Sequence, residues 1–120
     1  MKAISIRQPW ASMVVSGEKT IETRTWRTNY RGPLLIVSSK QPIVDNLPRG
    51  YALAIVTLVD CRPMTKQDEA AACCGVTLGR FAWVLSNIRN IVPFRVSGKL
   101  GLYEVPYQEA EGHADFLEVA

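Results

Sequence analysis

Apolar and polar positions change period several times along the chain, and each change marks an element. Ala3–Arg7 alternates weakly and predicts a short strand. Pro9 then stands where a helix can start, because its missing N–H leaves nothing unpaired there. Trp10, Met13 and Val14 follow at helical spacing, and Gly17 supplies a left-handed stop. The pattern predicts a helix over Pro9–Ser16 with those three side chains on one apolar face. Two turns alone are marginal in water, so tertiary packing has to hold it. Lys19–Trp26 is rich in β-branched residues and predicts a second strand. Asn29–Gly32 reads as a turn, and Pro33–Ser39 as a third strand around the apolar run Leu34–Val37. Residues 40–50, marked by Pro42, Pro48 and Gly50, read as a loop before the long strand Tyr51–Asp60. Thr65 and Asp68 have the spacing of a helix cap, which predicts a short helix over Lys66–Cys74 ended by Gly75. Phe81–Ile91 and Lys99–Val105 complete the strands.

Six short strands without regularly alternating helices argue against a doubly wound sheet. They predict an α+β, mostly β fold: a small, mostly antiparallel β-barrel with two short inserted helices, whose closure would remove exposed strand edges. One domain over residues 1–106 is expected, followed by a loosely held acidic tail over 107–120. A length of 120 residues, 48% hydrophobic and 21% charged, fits a single globular domain and excludes disorder or a coiled-coil rod. The three cysteines include an adjacent pair, Cys73-Cys74, and the one histidine is His113, so no metal site and no cofactor are expected. The cysteine pair is read as small helix residues packing the core. The apolar stretch Ala52–Val59 is too short for a membrane span, and the start of the chain does not read as a signal peptide. A cytoplasmic monomer is the expectation.

Charge is distributed unevenly. Residues 1–50 carry a net +5, residues 51–105 +2 and residues 106–120 −4, so the body without its tail is +7. A basic body suits a phosphate-bearing partner, although ordinary solvation also accounts for such a value. Within it, Arg7, Lys19, Glu22 and Arg24 stand out. Glu22 and Arg24 share a face by strand parity, while Thr23 has the opposite parity. Either a carboxylate and its cations line a barrel mouth, or they form a solvated surface ion pair worth little. Trp10, Trp26, Tyr30 and Trp83 offer stacking surfaces for a base, or core. Ser38, Lys40 and Ser86 close strands and are candidates for the same mouth, Ser86 being equally suited to a turn cap. Gly98 and Gly101 are spaced like a nucleotide-clamping G-x-x-G loop, but the strand pattern is wrong for that fold, so they read as a turn.

Gly17-x-Lys19-x-x-Glu22-x-Arg24 resembles the G-x-K-x-x-E-x-R signature of the ASCH (activating signal cointegrator homology) domains. The opening Ser5-x-Arg7-Gln8-Pro9-Trp10-Ala11, the block Phe81–Asn87 and Gly98-Lys99-x-Gly101-Leu102-Tyr103 are similar to that family as well. The resemblance implies a PUA-like barrel with a cleft lined by the signature residues, and a role with RNA or nucleosides as partner. It brings Gln8 and Pro9 into the candidate binding set beside Arg7, Trp10, Trp26, Ser38, Lys40 and Ser86. One branch of the family hydrolyses N4-acetylcytidine with a threonine, a lysine, a glutamate and an arginine. Its lysine falls on Lys19 and its arginine on Arg24, but its threonine falls on Glu22; Glu69 is the nearest candidate for its distal glutamate. The implied activities are therefore an amidohydrolase on N4-acylated cytosine or cytidine with Lys19, Glu22 and Arg24 catalytic, a non-catalytic RNA-binding module, or a ribonuclease.

Overall fold

The runs Leu34–Val37 and Ala52–Val56 are buried along their whole length, which a strand tolerates only when both faces of its sheet are covered. In the computed structural model, which describes residues 1–109, they lie in adjacent central strands. The chain order is β1 (Lys2–Ile6), α1 (Trp10–Ser16), β2 (Ile21–Arg24), β3 (Gly32–Ser38), β4 (Tyr51–Pro63), a 3-10 turn (Lys66–Asp68) leading into α2 (Glu69–Ala72), β5 (Phe81–Arg95) and β6 (Leu102–Glu104). The six strands form one curled sheet in the order β2-β5-β4-β3-β1-β6, a half-barrel with the two short helices inserted. All pairings are antiparallel except β1 with β3, where Ala3 lies opposite Leu35 and Ser5 opposite Val37. A parallel pair needs a long crossover, and α1 with β2 supplies it.

Alternate residues of the central strands feed two cores. Ile4, Leu34, Ile36, Val56 and Leu58 pack with Ala11 and Val14 of α1 and with Trp83. Ala3, Leu35, Val37, Ala52 and Ile55 pack on the other side with Tyr103 and Val105. The face that α1 buries is therefore Ala11 and Val14 rather than Trp10 and Met13; Trp10 turns outward, 39% exposed.

Several element ends differ from the sequence expectation. The sheet is curled but not closed into a ring: β2 and β6 are its edges. β5 continues four residues beyond Ile91 to Arg95 and carries Pro93. Proline is tolerated there because β2 pairs only with Phe81–Val84, leaving the far half of β5 bonded on one side. The second helix stops early, with Cys73 rather than Gly75 in the left-handed conformation at φ 57°. Residues 107–109, expected to be loose, are held: Tyr107 stacks on Phe94 at 5.1 Å, and Glu109 forms a forked pair with Arg89 at 2.8 and 2.9 Å. That pair lowers the Glu109 carboxyl from its ordinary value. The rest of the expected acidic tail, with His113, lies outside the described residues.

The cap that opens the second helical segment is a charged lock. Asp68 accepts from the Thr65 backbone N–H at 2.8 Å and from the Arg62 guanidinium at 2.7 and 2.9 Å. Those bonds, the Arg62 fork foremost, hold the Asp68 carboxyl far below its ordinary range. A carboxyl depressed in the folded state adds stability above its unfolded value of about 3.9, and loses it as pH falls below that value. Urea midpoints of wild type are expected to fall between about pH 5 and pH 3 more steeply than those of Asp68→Asn, whose curve flattens.

Candidate functional site

The site grows out of the turn after α1. Gly17 takes φ 85°, which only glycine adopts freely, and the Lys19 N–H returns to the Met13 carbonyl at 3.0 Å. The Thr20 N–H then bonds Ala71 of α2 at 2.9 Å, so the turn is pinned against the second helix before β2 begins. This aims Lys19 inward. Its side chain is buried, Nζ donates to the Ala72 carbonyl, and the same nitrogen lies 3.7 Å from Glu22 Oε1. Glu22 and Arg24 project from the same face of β2, and Arg24 grips Glu22 Oε2 through Nη2 at 2.8 Å and Nε at 3.0 Å.

Arg24 has a second task. Its Nη2 donates to the Ser5 carbonyl of β1 at 2.7 Å, joining the edge strand β2 to β1 across the open flank of the sheet. Ser5 Oγ is hydrogen-bonded to Tyr103 Oη at 2.7 Å, so the contacts run from α2 through Lys19, Glu22 and Arg24 to β1 and β6.

These side chains line a cavity of about 970 Å³. That is at the upper end of small-ligand pockets and large enough for a pyrimidine nucleoside. The structure brings Lys19, Glu22 and Arg24 together there with Arg7, Trp10, Trp26, Ser38 and Lys40. Ser38 is buried and its hydroxyl bridges the Tyr51 backbone, accepting from N–H at 3.2 Å and donating to the carbonyl at 3.3 Å. Trp26 stands edge-on to Trp83, with ring centroids 4.8 Å apart, and Trp83 Nε1 donates to the Trp26 carbonyl at 3.3 Å.

Three members of the candidate binding set lie elsewhere. Gln8 is buried in a structural role, its amide donating to the Pro48 carbonyl at 2.8 Å and accepting from the Ser12 N–H at 3.0 Å. Pro9 caps α1 on the outside, and Ser86 sits exposed on β5 opposite Thr57, beside the bulged residue Asn87. None of these three lines the cavity. Trp83 is fully buried core. Glu69 is used locally, its Oε2 accepting from the Val76 N–H at 2.7 Å.

Sequence reasoning passed over other lining groups. Thr23 reaches the cavity despite its parity, and Cys74 with Thr77 and Arg80 forms part of the wall instead of a helix face. The turn Ser97–Gly101 forms another part. A Cβ on Gly98 would lie 2.9 Å from Ser5 Oγ, so glycine is what lets this turn close against β1. Overpacking of this kind typically costs about 1–3 kcal/mol. Gly98→Ala is expected to push the turn outward and weaken ligand binding about tenfold, as read by titration calorimetry, while circular dichroism keeps its native form. Among the described residues no three His, Cys, Asp or Glu side chains cluster as metal ligands, and no helix is long and apolar enough to cross a membrane.

Comparison with known proteins agrees with this architecture. The chain is 32% identical over 80 residues to human activating signal cointegrator 1, covering 48% of this chain and 14% of that protein. It is 25% identical over 133 residues to the mouse protein of the same name, covering 91% and 23% respectively. The chain thus spans less than a quarter of either relative. The crystal structure of ASCH from Zymomonas mobilis superposes with a TM-score of 0.67 at 14% identity, covering 98% of this chain and 94% of that one. A point mutant of the same bacterial protein superposes at 0.63 and 13%, covering 98% and 96%. At such identity these two establish the shared fold. The ASCH domain model matches residues 4–109, nearly the whole described structure, and the chain belongs to the ASCH domain family, within an RNA-related superfamily.

Proposed function

We propose that the chain hydrolyses the amide of N4-acylated cytosine or cytidine, with Lys19, Glu22 and Arg24 as the reaction centre. The observation that carries this reading is the convergence of one carboxylate and two cations inside a nucleoside-sized cavity. Arg24 holds Glu22 through Oε2, leaving Oε1 as the oxygen that faces Lys19. Oε1 takes the proton of a water as that water attacks the acyl carbon. Lys19 has three N–H donors; one serves the Ala72 carbonyl and another faces Glu22, so the third is available to the developing oxyanion. Glu22 then returns the proton to the departing N4, the C–N bond breaks, and cytidine and a carboxylic acid are released. In this scheme water attacks directly, which accords with a glutamate where the amidohydrolase branch has threonine. Trp10 and Trp26 supply faces for the base.

The test is the ultraviolet change as N4-acetylcytidine becomes cytidine. Wild type is expected to turn it over. Lys19→Ala is expected to lower kcat by about 10²–10³, the usual loss when an oxyanion donor is removed. No turnover by pure wild-type protein across several acyl groups ends this reading. A second reading, binding of RNA without reaction, is favoured by the exposed cations Arg7, Lys40 and Lys99 on the cavity wall. It predicts affinity that falls steeply with salt and no change in any nucleoside spectrum.

A further inference from the structure

Two leucines stand wholly in water, each at the apex of a turn beside the cavity. Leu78 precedes Gly79 and the wall residue Arg80, and Leu100 lies between Lys99 and Gly101. The two glycines take φ 82° and 69°, and a Cβ built on either would meet nothing within 4 Å. Both apices therefore stand clear of the rest of the described protein. Their stems are tied down. Arg80 N–H bonds the Thr77 carbonyl at 3.2 Å, Met64 N–H bonds the Arg80 carbonyl at 3.0 Å, and Val76 N–H bonds Glu69 Oε2 at 2.7 Å. On the other turn Val96 N–H bonds the Gly50 carbonyl at 3.0 Å, and Gly98 is closed against Ser5. An apolar side chain held out on a fixed turn adds nothing to folding, and gains contact only when something covers it.

Shape and charge select the partner. A stable complex with a folded protein buries a continuous patch of about 800 Å² on each side. Leu78 and Leu100 sit on separate turns, and the cavity that both turns line also holds Lys19, Glu22 and Arg24, so the apolar tips do not join into one patch. A lipid bilayer requires no matching patch. Separate apolar projections enter its interface one by one, and cations beside them meet anionic headgroups. Such cations are in place: Lys99 adjoins Leu100, Arg80 follows Leu78 and Gly79, and Arg7 and Lys40 line the same cavity. Opposing charge is spent. Glu22, the one carboxylate among the described lining residues, is paired with Arg24, and Glu69 serves the Val76 N–H. Val76, itself 41% exposed, widens the apolar tip of the first turn.

We propose that the Leu78 and Leu100 turns dock this face of the protein on an anionic lipid bilayer. The two leucines insert below the headgroups, Arg80 and Lys99 sit on the headgroup phosphates, and the cavity opens at the membrane surface. The inference rests on the two turns and not on the amide-hydrolysis reading.

The experiment is cosedimentation of the full chain with sucrose-loaded vesicles. One set is neutral phosphatidylcholine; the other is phosphatidylcholine and phosphatidylglycerol in equal parts. Binding to the anionic set is expected to exceed binding to the neutral set by about tenfold or more, and to weaken as salt is added. The Leu78→Ser/Leu100→Ser double variant should bind the anionic vesicles about tenfold less while keeping its native circular dichroism. Insertion is read separately in Leu100→Trp, where lipids with brominated acyl chains should quench fluorescence beyond the quenching seen in wild type. That second variant keeps an apolar tip and decides the question even where the serine variant folds poorly. Equal binding to the two vesicle sets, unchanged binding of a folded double variant, or no added quenching in Leu100→Trp overturns the inference. So does leucine-dependent binding to a single-stranded RNA with none to the vesicles.

Discussion

Glu22→Leu is expected to lower the free energy of unfolding by about 3–5 kcal/mol, because it leaves two charges inside the protein without their partner. The Lys19 side chain is 3% exposed and that of Arg24 23%, so water from the cavity makes up for the lost carboxylate only in part. In a domain of this size each kcal/mol moves the Tm by about 4–8 °C, so the loss is visible in a single thermal scan. Glu22→Gln keeps an oxygen for the Arg24 fork and should lose less, about 1–2 kcal/mol. It should nevertheless abolish turnover, because an amide cannot take the proton of water. A Lys19→Met/Glu22→Leu double variant should be more stable than Glu22→Leu alone, since it removes one of the stranded charges with the carboxylate. If Glu22→Leu unfolds at the wild-type urea midpoint, the buried ion set described above is not what the protein contains in solution.

Trp83→Ala is the second large effect, expected at about 3–5 kcal/mol. Trp83 is the largest fully buried side chain and packs in the principal core with Leu58 and Leu85. It also holds Trp26, through the edge-on ring contact and the bond to the Trp26 carbonyl. The two roles separate in Trp83→Phe. A phenyl ring keeps most of the packing but donates nothing, so stability should fall by only about 1–2 kcal/mol. Trp26 would then lose its anchor at the cavity wall. Chemical denaturation reads the first effect, and nucleoside affinity, expected to weaken several-fold, reads the second.

The parts legible in the sequence were those fixed by near neighbours. The run Tyr51–Asp60, the cap Thr65/Asp68 and the stop at Gly17 each follow from a few adjacent residues, and each stands in the structure. The shared face of Glu22 and Arg24 follows from strand parity alone. What could not be read locally was decided by distant pairing. The parallel match of β1 with β3 depends on how the crossover packs. The exposed place of Ser86 depends on the bulge at Asn87, where register with β4 shifts. The family resemblance places Gln8 in the binding set, but Pro48, forty residues away, claims its amide. The turns that complete the cavity, residues 74–80 and 97–101, carry no period at all; they reach the site because α2 docks beside Lys19 and because Gly98 fits against Ser5.

The bond from Arg24 to the Ser5 carbonyl has a consequence for anyone altering this protein. Where a fully closed barrel would seal its wall with a backbone ladder, here one guanidinium fastens the gap and also orients the carboxylate beside it. Shape and reactivity thus share one clasp among the described residues. A lysine substituted there would keep the charge yet lack the planar fork needed to hold both sides, so the wall would breathe and Glu22 would lose its aim in the same step.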